Sequence, residues 1–179
     1  MHPARVTHLN VEYSLRHLAQ NVEVFEWRGS DRIALSFSVR VRYSPNCYSD
    51  VAAGPPFPEG CYIIRGLGKA RLFSPERHAY SLHLPAFIGE LFRKPATSVS
   101  LTRDANWSIY RMAMNPPLRP NHRYYVFFRV KAAEPRRGGN RYRLDLYVES
   151  AYQRGQGVKV VRYFPFGTVA ERIAKGIRI

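Results

Sequence analysis

Glu149 sits near the end of the run Leu146-Tyr147-Val148-Glu149-Ser150-Ala151-Tyr152, one of two carboxylates that strand alternation sets among arginines. A carboxylate beside cations stays ionised and can take the proton of a ribose 2′-hydroxyl. Metal-free cleavage of RNA also needs an acid for the leaving oxygen and cations to hold the charge that builds on phosphorus. His78 and His83 are candidate acids, because histidine titrates near neutral pH without perturbation. Tyr152 is the other candidate, able to donate a proton or to position a base, and Ser150 stands beside it where a strand end can reach a site at a sheet edge. Arg129 is the candidate cation for the phosphorane. Each has a plainer reading: an idle surface histidine, a structural Glu–Arg pair, a tyrosine filling a sheet edge.

Strands must position these groups. From Tyr124 to Ala132 the residues Tyr124, Val126, Phe128 and Val130 make an apolar face and leave Arg123, Tyr125, Phe127, Arg129 and Lys131 on the other. From Tyr142 to Ala151 the apolar set is Tyr142, Leu144, Leu146 and Val148, opposed by Arg141, Arg143, Asp145, Tyr147 and Glu149. The run Ile33 to Tyr43 adds Arg40 and Arg42 by the same rule. If these strands share a sheet, its polar face can pair with phosphates while its rings stack on unpaired bases. The nucleic-acid-binding candidates are Arg40, Arg42, Arg123, Tyr125, Lys131, Arg141 and Arg143, joined by Arg77, Arg154 and the weaker Tyr48. The alternative is the solvated outer face of an antiparallel sheet.

Charge favours binding. The chain of 179 residues carries 28 Lys and Arg against 13 Asp and Glu, a net +15 with a pI near 10.3. Residues 1–70 contribute +2 and residues 71–179 contribute +13. Such a field concentrates polyanions, nucleic acid first and membrane headgroups second. Arginine supplies 23 of the 28 cations, and its planar fork matches phosphate oxygens.

The remaining pattern predicts a single α+β domain over residues 1–179: a twisted antiparallel sheet with short helices packed on one face. A short helix or extended arm is expected over Val11 to Ala19, and a hairpin from Asn21 to Tyr43 turning at Gly29-Ser30-Asp31. Residues 44–68, rich in Pro and Gly, read as a long functional or mobile loop. Ser74-Pro75-Glu76 looks like a helix start, with Pro85 dividing the helix that follows. Strands at Trp107 to Met114, Tyr124 to Ala132, Tyr142 to Ala151 and Val158 to Phe164 read as a four-strand meander, and Val169 to Ile179 as a short basic helix or tail. Without a signal segment or a membrane-length apolar run, the expectation is a cytoplasmic protein with no membrane partner, in which Cys47 and Cys61 are free thiols. No metal or other cofactor is expected, since CxxC pairs, His pairs at helical spacing, HExxH, GxSxG, Walker and dinucleotide motifs are all missing.

The run from Phe73-Ser74-Pro75-Glu76-Arg77-His78 to Lys94-Pro95, followed by strands to Ser150-Ala151-Tyr152, resembles the ribonuclease-toxin superfamily that groups barnase, colicin ribonucleases and RelE-type toxins, in its phage and mobile-element versions. The resemblance spans about eighty residues through loose motifs: a His-bearing helical segment ending in Pro, then a meander with a Ser/Thr-x-Tyr/Phe strand end. It implies an α+β fold, metal-free RNA cleavage and an acidic antitoxin or inhibitor as partner; single-stranded RNA is the ligand that the Arg and ring-bearing sheet face favours. The segments Arg42 to Asp50, Ser74 to Pro85 and Tyr147 to Arg154 together also resemble a bacterial family found near prophage and integrative elements, sometimes labelled stationary-phase growth adaptation proteins. The competing functions are a non-catalytic nucleic-acid-binding or regulatory module, with DNA as a possible ligand, and a phage-type inhibitor that binds an acidic protein.

Overall fold

The computed structural model describes residues 3–29, 34–65, 68–134 and 142–179. Its strands are β1 (Arg5–His8), β2 (Val11–Ser14), β3 (Asn21–Arg28), β4 (Ala34–Tyr43), β5 (Ser49–Val51), β6 (Ile63–Ile64), β7 (Arg71–Phe73), β8 (Ser98–Thr102), β9 (Trp107–Arg111), β10 (Arg123–Ala132), β11 (Leu144–Arg154) and β12 (Val160–Pro165). The helices are α1 (Pro75–Ser81), α2 (Leu84–Arg93) and α3 (Phe166–Ala174). The fold is α+β, a curled mixed sheet of seven strands with short helices.

The seven strands lie in the order β12-β8-β9-β10-β11-β4-β3. Strands β9, β10 and β11 form the expected meander, and β3 with β4 the expected hairpin. The fourth meander strand does not follow. β12 crosses to the far edge and pairs with β8, a strand the sequence reading passed over between Pro95 and Trp107. β4 joins β11 in parallel, so the sheet is mixed rather than wholly antiparallel. The physical reason is burial: Val39 and Val41 lie beside Leu144 and Leu146 in that register, and all four are within 1% of complete burial. Central strands gain more from a two-sided apolar neighbourhood than an edge can offer.

Val11 to Ala19 is not a helix; it holds β2, which pairs with β1, and a single 3-10 turn at Arg16–Leu18. The described residues of the expected 44–68 loop include a 3-10 turn at Pro45–Cys47 and strands β5 and β6, which flank β7 in a small three-stranded sheet. Ser74 caps α1 by accepting from the Arg77 backbone N–H, with Pro75 in the first turn. Pro85 occupies the first turn of α2, where its missing N–H costs nothing, and the chain breaks between the helices as expected. α2 buries Leu84, Phe87, Ile88 and Leu91, and full burial of such side chains is worth about 1.5–3 kcal/mol each.

Of the helix and the tail expected near the C-terminus, the structure has the helix, α3, which starts three residues before Val169. α3 buries Phe166, Val169 and Ala170, and the Phe166 ring meets Phe25, Phe92 and Phe128. Gly167 lies under the Trp27 ring with no room for a Cβ, and Trp27 Nε1 donates to Glu171 at 3.0 Å. These contacts place α3 with α1 and α2 on one side of the sheet, the side of Tyr124, Val126 and Phe128.

Candidate nucleic-acid interface

The other side of the central strands carries no helix among the described residues. Its middle is a row of rings, Tyr110, Tyr125, Phe127 and Tyr152, with successive centroids 5.5, 5.9 and 5.4 Å apart. Cross-strand register builds it: Tyr110 faces Tyr125 across β9 and β10, and Tyr125 faces Tyr152 across β10 and β11. Phe127 is two residues along β10 from Tyr125 and so shares its face. Tyr125 and Phe127 are buried between their neighbours, leaving Tyr110 and Tyr152 at the ends of the row more accessible.

Arginines flank the row. Arg123 and Arg154 are directly opposed at one end of the β10–β11 ladder, and like charges in such a pair repel. Arg123 lies 4.8 Å over the Tyr110 ring, and neither arginine meets a carboxylate among the described residues. At the other end of the row β11 bulges. Phe127 pairs with Ser150 and Phe128 with Val148, so Glu149 is the extra residue, and bulges re-aim a side chain in this way. Glu149 Oε1 accepts from Arg129 Nε at 2.7 Å, and Oε2 accepts from Asn106 Nδ2 at 3.1 Å. Thr102 Oγ1 donates to Asn106 Oδ1 at 2.5 Å, which fixes the amide orientation. Asn106, in the β8–β9 turn, is a site residue that the sequence reading missed. Only its place at the end of an unrecognised hairpin would have pointed to it.

The structure brings Glu149, Arg129, Ser150 and Tyr152 to this face together. It sends His78 elsewhere: His78 Nε2 donates to the Ser14 carbonyl at 2.9 Å, and its ring packs against Tyr13, His17 and Phe73 on the helix-bearing side. His83 likewise bonds the carbonyl of Asn115. Of the candidate acids, only Tyr152 shares a face with Glu149.

Several expected nucleic-acid contacts are committed to the protein. Tyr48 is 1% exposed in the core, where burial pushes its phenol well above the ordinary range. Arg40 and Arg42 both fork onto Asp145, the latter at 3.1 and 2.7 Å. Arg40 also stacks on Tyr142. Burial alone would raise the Asp145 pKa, but the two guanidinium forks more than offset it and hold the carboxyl below its usual value. Arg77 donates to Asp50 at 2.8 Å and to the Ala151 carbonyl at 3.0 Å, and lies over Tyr152. Arg143 lies just before β11 and turns away from the alternation to cap the Ala174 carbonyl at the end of α3. Lys131 remains exposed on the face, 3.7 Å from Glu134. Arg141 lies outside the described residues.

Cys47 and Cys61 are free thiols; burial raises the Cys47 pKa to about 12. Among the described residues no group of three or more His, Cys, Asp or Glu is placed to hold a metal, and no helix is long and apolar enough to cross a membrane.

Fold and face together define an α+β protein with a helix-free sheet surface on which arginines border aromatic rings. The YjaZ family model matches residues 5–173, and the chain belongs to the YjaZ family. No curated protein and no solved structure matches it.

Proposed function

We propose that this chain binds single-stranded RNA along the helix-free face of its sheet. The observation that carries the reading is the ring row from Tyr110 to Tyr152 bordered by the opposed pair Arg123 and Arg154. Two like charges kept side by side without a carboxylate lower their energy when an anion sits between them. A phosphate supplies that anion, and the accessible ends of the row supply stacking surface for unpaired bases. A cytoplasmic setting, where single-stranded RNA is abundant, accords with this reading.

Fluorescence anisotropy with labelled single-stranded RNA in EDTA tests it. The variant R123A/R154A should bind at least tenfold more weakly, and its log–log salt slope should shrink by roughly 1.4, about 0.7 for each lost cation. Affinity and slope equal to wild type would sink the proposal.

A second reading, metal-independent endonucleolytic cleavage, is favoured by one observation: Glu149 is held by Arg129 and Asn106 on the face that also carries Tyr152. Glu149 would take the 2′-hydroxyl proton, Tyr152 would protonate the leaving oxygen, and Arg129 would hold the phosphorane charge. Cleavage by wild type that Glu149→Gln loses, with binding kept, supports the enzyme. Binding without cleavage by either protein leaves a non-catalytic binding module.

A further inference from the structure

Strands β8 and β9 are joined only by the pairs Ser100 with Ser108 and Leu101 with Trp107. Beyond Ser100 and Ser108 they part and expose α2 between them. The gap is a cleft of about 420 Å³, within the ~300–1,000 Å³ of ordinary small-molecule pockets. Phe87 and Leu91 of α2, with Ile109 of β9, give it apolar walls. Tyr110 and Tyr163, 43% and 64% exposed, also line it. Between the two tyrosines runs the cross-strand row Tyr163, Ser100, Ser108.

Those serines are the telling groups. Ser100 is 8% and Ser108 2% exposed, both border the cleft, and neither hydroxyl has a hydrogen-bond partner among the described residues. Both hydroxyls open to the cleft rather than to a protein partner, so an occupant can bond them in place of water. The only full charges in the lining, Glu90 and Arg111, pair with each other, and Glu90 also meets Lys94 at 3.1 Å. The cleft therefore selects for a neutral, flat, polar-edged group: rings to stack on, hydroxyls that both donate and accept, apolar walls and no net charge to match. Tyr110 is at once the last ring of the row on the sheet and part of the cleft lining.

We infer that this cleft accepts one unstacked nucleoside unit, base and ribose, from the strand bound across the sheet; the inference rests on the RNA-binding reading. The row aligns bases over the sheet, and Tyr110 hands the next base to the space before Tyr163. Ser100 and Ser108 then bond its polar edge.

Equilibrium dialysis with radiolabelled adenosine and uridine, beside anisotropy with single-stranded RNA, tests this on the whole chain. S100A/S108A removes both hydroxyls with little change in volume, and Tyr163→Ala, at an exposed position, guards against a folding artefact. Loss of two hydrogen bonds should weaken nucleoside binding about tenfold. RNA affinity should fall in parallel, and Y163A should weaken both. Arg154→Ala, outside the cleft lining, should weaken RNA binding and leave nucleoside binding unchanged. RNA binding untouched by S100A/S108A and Y163A, with no nucleoside bound, would overturn the inference and leave the sheet face standing. Nucleoside binding lost in both cleft variants, in a protein that binds no RNA, would keep the cleft as a nucleoside site and overturn the proposed function. Binding of glucose in place of either nucleoside would overturn the assignment of the ligand.

Discussion

Two pairs of arginines project from the same side of one sheet and meet opposite fates. Arg40 and Arg42 on β4 converge on Asp145, 3% exposed in its side chain, and share it as two forks on one carboxylate. Arg123 and Arg154 face each other across β10 and β11 with no carboxylate between them among the described residues. In the sequence Arg40 and Arg42 lie between apolar or aromatic residues, Arg123 between His122 and Tyr124 and Arg154 between Gln153 and Gly155, and none of these neighbours tells which arginine will meet a carboxylate. The difference lies in the neighbour that the sheet supplies. Parallel pairing sets Asp145 opposite Arg40, whereas antiparallel pairing sets arginine opposite arginine. The first pair is held by a carboxylate, and the second faces solvent as two like charges without one among the described residues.

Removing the shared carboxylate should have the largest effect. Asp145→Ala leaves two arginines without their partner, and thermal or urea unfolding should show a loss of about 3 kcal/mol. That is the low end for breaking a buried pair, because the Arg42 side chain keeps 38% of its surface in water. A loss below about 1 kcal/mol, the range of exposed pairs, would break the contrast drawn between the two arginine pairs.

Next comes the acid side of the same cluster. The folded Asp145 pKa lies below its unfolded value of about 3.9. A depressed carboxyl contributes stability that is complete above the unfolded pKa and is lost as pH falls through the folded one. The stability gap between wild type and Asp145→Asn should therefore be constant from pH 5 to 7 and narrow below about pH 4. A gap that stays the same at pH 3 would mean that the charge of Asp145 is not what holds Arg40 and Arg42.

For the open pair, R123A/R154A should change stability by no more than about 0.5 kcal/mol, as surface substitutions do, or raise it slightly by relieving repulsion. This small structural effect beside a tenfold loss of RNA affinity is the sharpest form of the contrast. A destabilisation near that of Asp145→Ala would show the pair to be structural as well.

The smallest effect concerns the thiols. Cys47 is wholly buried and its thiol is pushed up to about 12, so a thiol reagent at pH 8 should modify Cys61 alone in the folded protein. Rapid modification of both would show that the chain around the Pro45–Cys47 turn opens, and with it the Val148 carbonyl that Cys47 faces.

Much of this architecture was legible as periodicity. Alternation located β4, β10 and β11 to within a few residues, and the Ser-Pro-Glu start with Pro85 located α1 and α2. β8 escaped because Ser98, Ser100 and Thr102 alternate with only Val99 and Leu101, too short a run to stand out from a loop. β12 was found as a strand, but its partner was not, since a crossover to the far edge leaves no local mark. The site divides in the same way. Glu149 and Arg129 share a face as alternation predicts, whereas counting by two puts Ser150 and Tyr152 on the opposite one; the bulge at Glu149 inserts the extra residue that brings them to the same side. His78 was proposed for its chemistry, and helix packing turned it toward Ser14 instead.

The sequence by itself determined the class of fold, the basic character of residues 71–179 and the residue types on each face of the long strands up to the bulge, because side-chain alternation and charge are local properties. Tertiary structure alone decided which strands lie side by side, and hence which arginine meets Asp145, which meets another arginine, and where β8 and β9 part to open a cleft. Those outcomes depend on pairing register between residues tens of positions apart. Register is set by the burial of the whole core, which no single stretch of the chain contains.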